Sequence, residues 1–163
     1  MLKRMAIAAA VLAMAGMAFS AMAPGATAAE PTPVAPRPSV LLHGAGVLDA
    51  HGTGVAAVKG LMDYHATADE GILLIKDIGG GARVDVDGFG GTGEWRGFKV
   101  YFGLRGNVHI VGTDVAVIIV GHDIDLHVAG KGWAFLKGEG VFTANGHRPF
   151  PWTADGVFGS VTP

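Results

Sequence analysis

Cysteine is missing from all 163 residues. Disulfides, a cysteine nucleophile and lipidation of an N-terminal cysteine are therefore excluded. Serine is almost as scarce beyond residue 28, where only Ser39 and Ser160 occur. Neither stands in the G-x-S-x-G elbow that exposes a serine nucleophile, so serine hydrolase chemistry has no carrier. Charge is also thin, with 12 Lys and Arg against 14 Asp and Glu. No basic run or basic helix face exists, which argues against a nucleic-acid or anionic-lipid partner.

Long apolar runs are confined to the first residues. Lys3 and Arg4 precede a stretch of Ala, Met, Val and Leu from Met5 to Ala23. Two cations followed by such a run form the n-region and h-region of a secretory signal peptide. Small-residue cleavage motifs follow at Ala21-Met22-Ala23 and Ala26-Thr27-Ala28. We expect a signal peptide over 1–28, export to the periplasm or beyond, and no transmembrane segment after cleavage. Losing Lys3 and Arg4 leaves 10 basic and 14 acidic residues, a net charge of −4. Residues 29–38 carry Pro31, Pro33, Pro36 and Pro38. Alternating prolines favour extended polyproline II and cannot enter a sheet interior, so this segment reads as a tether.

From residue 39 to residue 163 the sequence describes one all-β domain. Val40, Leu42, Gly44, Gly46, Leu48, Ala50, Gly52 and Gly54 lie on one parity, with His43, Asp49 and His51 on the other. That is the two-residue period of a half-buried strand. The same texture returns from Ile124 to Phe142. G-x-G-x-L-x-A-x-G-x-G at Gly44–Gly54 is nearly mirrored by G-x-G-x-A-x-L-x-G-x-G at Gly130–Gly140. Glycine pairs in strands mark close approach of another backbone or a sharp bend. Val55–Ala68, Ile72–Ile75 and Val84–Val86 read as further strands, with a turn at Gly79-Gly80-Gly81.

Gly103, Gly112, Gly121 and Gly130 recur every nine residues. The apolar parity flips between them: Val108 and Ile110 even, Val115, Val117 and Ile119 odd, Ile124 and Leu126 even. Two-residue hairpin loops at Gly112-Thr113, Gly121-His122 and Gly130-Lys131 would produce that flip, and Asn145-Gly146 fits a type I′ turn. The expected fold is an antiparallel meander forming a small glycine-rich barrel or sandwich. The alternative is a β-solenoid, because a short fixed period also marks corners. The spacing is similar to that of calcium-binding β-roll repeats, although their G-G-x-G-x-D pattern is absent. A lipid-facing barrel is disfavoured because His43, Asp49, Arg83, Asp85, Asp125, His127, Lys131, Lys137 and Glu139 occupy the second parity.

Gly88-Phe89-Gly90-Gly91-Thr92-Gly93 matches G-x-G-x-x-G, yet Glu94-Trp95-Arg96-Gly97 does not open the helix that a dinucleotide site requires. Asp85 and Asp87 are a carboxylate pair of the type glycosidases use, with Trp95, Trp133, Trp152 and Tyr101 as candidate sugar platforms. The sharpest polar cluster is His122, Asp123, Asp125 and His127. Imidazole and carboxylate together suit Zn²⁺ or Cu²⁺, and His109 joins the cluster if neighbouring segments pair. Residues i and i+2 of one strand stand about 6.5–7 Å apart, which is wide for ligands of one ion. The sequence therefore favours an exported, non-enzymatic envelope or surface module that binds a macromolecular partner or itself. The alternative is a periplasmic domain binding a small ligand or a metal at the His122–His127 strand.

Overall fold

The computed structural model describes residues 39–43 and 46–162. The signal peptide, the tether and Gly44 lie outside the described residues. Seven strands make up one sheet: β1 (Ser39–His43), β2 (Gly46–Asp77), β3 (Arg83–Val86), β4 (Gly91–Trp95), β5 (Phe98–Ala144), β6 (Phe150–Trp152) and β7 (Val157–Thr162). No helix occurs among the described residues, and hence none long and apolar enough to cross a membrane. Pairing is antiparallel throughout except for β1, which runs parallel to β7.

Two strands dominate, at 32 and 47 residues. Strands of that length stay hydrogen-bonded only by coiling. Ala56 pairs with both Ile119 and Leu136, and Ile119 pairs with both Ala56 and Leu73. The separations, 136 − 119 and 73 − 56, are both 17 residues. Each strand thus returns beside itself after 17 residues, with one segment of the other strand between. Across the sheet the order is 131–144, 46–60, 115–130, 62–77 and 98–112. Gly60 lies opposite Val115 and Met62 opposite Gly130, so both ends of the 115–130 segment flank residue 61. Fifteen residues of straight strand would span roughly 50 Å, so the segment must travel a full circuit. The ladder ends at β1 on one side and at β3 and β4 on the other; it does not close into a barrel.

Glycine makes the coil possible. Gly71, Gly121, Gly54 and Gly138 are successive cross-strand partners, a row of glycines over four adjacent segments. A Cβ on Gly54 would strike the carbonyl oxygen of Lys137, and one on Gly138 that of Thr53. Gly60 and Gly132 exclude side chains in the same reciprocal way, against the carbonyls of Lys131 and Lys59. The two mirrored motifs therefore mark bends and close approach, as their pattern suggests. Their register is different: Gly130–Gly140 lies opposite Gly52–Met62, not opposite Gly44–Gly54.

The hairpins expected at Gly112, Gly121 and Gly130 do not form, because β5 passes through all three. The parity flips are nevertheless present. Val108 and Ile110, then Val115, Val117 and Ile119, then Ile124, Leu126 and Val128 all enter one core. Bulges cause the flips. Between Met62↔Gly112 and Gly60↔Val115 the register slips by one residue, and Asp123 (φ 47°) marks a second extra residue. One inserted residue moves every following side chain to the other face without reversing the chain. Asn145 and Gly146, at φ 52° and 69°, do form the expected turn. Arg96-Gly97 makes a second one between β4 and β5, with Trp95 and Phe98 paired across it.

The core inside the coil gathers Leu48, Val58, Tyr64, Leu73, Leu104, Ile110, Ile119, Ile124, Leu126 and Trp152. The outward parity is split by the glycine row. On one side Ala57, Leu74, Val100 and Ile118 form a second apolar cluster with Trp95, Trp133 and Phe135. On the other side the outward positions carry histidine and aspartate.

Candidate metal site

Four adjacent segments each carry the same three-residue arrangement. They are Asp49-Ala50-His51, Asp125-Leu126-His127, Asp63-Tyr64-His65 and Asn107-Val108-His109. Strand alternation explains their shape. Ala50, Leu126, Tyr64 and Val108 are buried in the core, so the residues either side must point outward. Antiparallel register then lines up one cross-strand row, Asp49–His127–His65–His109–Asp85. A neighbouring row holds His51, Asp125, Thr67 and Asn107. Together these side chains line an open groove of about 510 Å³, rimmed by Val141, Thr143 and Pro149.

Within the groove Asp63, His65 and His109 converge. Each offers one ligand atom, and the three atoms lie within 4.8 Å of one another. Asp63 Oδ1 stands 3.1 Å from His65 Nε2 and 3.0 Å from His109 Nε2. The two rings are stacked with centroids 4.0 Å apart. His65 and His109 are direct cross-strand partners, whose Cβ atoms lie about 4.5–5.5 Å apart in an antiparallel pair. Ligands brought together across strands thus avoid the wide spacing found along one strand. All three side chains are partly exposed, so an ion held here would keep positions open to water.

Two further imidazoles are fixed by carboxylates. His127 Nδ1 lies 2.6 Å from Asp49 Oδ1, and His51 Nδ1 lies 2.7 Å from Asp125 Oδ1. An ionised carboxylate only accepts, so each Nδ1 carries the proton and donates. Below the site, Tyr64 is fully buried and its hydroxyl has no hydrogen-bond partner. Burial pushes that phenol above its ordinary range.

Of the residues singled out from sequence, Asp125 and His127 line the groove; His122 and Asp123 do not. Asp123 occupies the bulge, where left-handed backbone breaks the alternation that would align it with Asp125. Its N–H donates to Thr53 Oγ1 at 3.3 Å, and His122 lies opposite Glu70. His109 does join the cluster. Asp63, His65, Asp49 and His51 escaped the sequence reading, although the recurrent D-x-H or N-x-H with an apolar middle residue was available to find them.

Asp85 sits on short β3 opposite His109, while the aromatic residues serve packing. Trp152 and Tyr101 are core residues, and Trp95 and Trp133 pack on the second apolar cluster. No sugar platform flanks the carboxylate pair. The G-x-G-x-x-G stretch runs from a loop straight into β4, with no helix behind it. Compared with known protein families, with curated proteins and with solved structures, the chain matches none.

Proposed function

We propose that this protein is an exported, non-enzymatic β-domain that binds a transition-metal ion, Zn²⁺ or Cu²⁺, through Asp63, His65 and His109. The observation that carries the reading is the convergence of two imidazoles and one carboxylate within 4.8 Å on neighbouring strands. Imidazole with carboxylate is a donor set for borderline divalent ions, whereas Mg²⁺ and Ca²⁺ prefer oxygen alone. An ion would replace the protons now shared between the two rings and Asp63. Export rests on the N-terminal sequence, and it places the protein where free metal must be captured or carried.

The interaction-module reading drew on the small-residue faces. Those glycines are used within the chain, each against a strand of the same sheet, so they leave no close-packing face to a partner. The metal reading has the better support.

Isothermal titration of the purified protein with Zn²⁺ tests it. The tightest equivalent should vanish in His65→Ala/His109→Ala while the circular dichroism spectrum is kept. Equal tight binding by wild type and variant would sink the proposal.

A further inference from the structure

The reciprocal pair of D-x-H segments points to more than one ion. Asp49-Ala50-His51 and Asp125-Leu126-His127 lie on adjacent antiparallel segments, with Asp49 opposite His127 and His51 opposite Asp125. Each imidazole reaches across the same gap to the other strand's carboxylate, at 2.6 Å and 2.7 Å. The arrangement is two-fold in character: two rings lean over one gap on neighbouring rungs, each locked from behind.

Locking has a chemical consequence. With the proton fixed on Nδ1, the lone pair of the neutral ring sits on Nε2 in both histidines. A carboxylate behind a histidine fixes ring orientation and raises its basicity, which is how metal-binding imidazoles are commonly supported. Both rings line the groove that contains Asp63, His65 and His109, and His127 lies 6.5 Å from His65, centroid to centroid. No lysine or arginine lines that groove, so nothing cationic competes for the position.

We propose that His51 and His127 form a second, weaker divalent metal site, binding Zn²⁺ or Cu²⁺ through their Nε2 atoms. Asp125 and Asp49 act as positioning residues, and water fills the other coordination positions. The site shares the groove of the first but none of its ligands, so the two proposals stand or fall separately.

Native mass spectrometry during Zn²⁺ titration counts the ions, and Cu²⁺ electron paramagnetic resonance reports on their neighbours. Wild type should take up two equivalents, and its spectrum at two Cu²⁺ per chain should broaden through dipolar coupling. His51→Ala/His127→Ala should retain one equivalent with unchanged tight affinity. His65→Ala/His109→Ala should retain the weaker one. Asp49→Asn/Asp125→Asn should weaken the second equivalent by about 10–100-fold and leave the first unmoved. A single equivalent in wild type overturns the second site. So does loss of tight binding in His127→Ala, which would make His127 a fourth ligand of the first ion. Two equivalents surviving in His51→Ala/His127→Ala overturn it as well. If neither double variant alters an otherwise ordinary titration, both sites are wrong.

Discussion

Tyr64 shows how one residue joins the core to the site. Its neighbours Asp63 and His65 face the groove, while its own ring is fully buried and its hydroxyl is unpaired. A buried hydroxyl without a partner keeps its desolvation penalty, so Tyr64→Phe should raise stability by about 1 kcal/mol in urea unfolding. The residue also predicts a pH effect. Because burial raises the folded-state pKa, the unfolded chain gives up its proton first as pH climbs. The Tyr64 contribution is therefore complete below the unfolded value near 10 and falls above it, by roughly 1.4 kcal/mol per pH unit. Urea midpoints between pH 9 and pH 11 should drop less steeply in Tyr64→Phe than in wild type; identical slopes would contradict the assignment.

Glycines divide by what their missing side chain would meet. At Gly132 a Cβ would fall on the carbonyl of Lys59, inside a ladder that cannot yield. Gly132→Ala should therefore cost about 2–3 kcal/mol, the scale of an overpacked interior. Gly80 has nothing within 4 Å and needs only its φ of 75°. Gly80→Ala should cost about 1 kcal/mol, the strain of left-handed backbone alone. Comparable losses at the two positions, measured by thermal unfolding, would refute the close-approach account.

At the scale of the element, bulges decide which residues reach the core. β5 alternates correctly only because extra residues at 112–114 and at Asp123 reset its parity. Deleting Asp123 should turn Ile124, Leu126 and Val128 outward and send Asp125 and His127 inward. Buried charges and exposed aliphatic residues together exceed the stability of an ordinary domain. The deletion variant is expected to lose its cooperative thermal transition, whereas Asp123→Gly, which relieves the positive φ, should keep or slightly raise the midpoint. A folded deletion variant would mean that the register is set elsewhere.

For the whole molecule, the coil concentrates chemistry on one side. The glycine row separates the His/Asp face from the outward apolar cluster, so four segments present imidazoles together while the opposite side is apolar. An ion that binds only this folded arrangement must stabilise it, by about 2.7 kcal/mol at a concentration one hundred times its dissociation constant. Saturating Zn²⁺ should thus raise the melting temperature of wild type and not that of His65→Ala/His109→Ala. Protons compete for the same nitrogens, so the gain should shrink on acidification. A melting temperature indifferent to Zn²⁺ at neutral pH would count against the site.

Alternation, glycine pairs and parity flips were all legible in the sequence, because strand period and backbone approach are local properties of the chain. They determined an all-β domain, the strand at Val55–Ala68, the half-buried strand at Val84–Val86 and the turn at Asn145-Gly146. Asp125 and His127 were legible too, since they share one strand. What lies across strands was not. A parity flip looks the same whether a hairpin or a bulge causes it, so the sequence could not distinguish a meander from two long strands coiling with a 17-residue return. His65 meets His109 and Asp49 meets His127 across separations of 44 and 78 residues. Only the register of the coiled sheet brings these pairs together, and that register is set by which glycines can let two backbones touch.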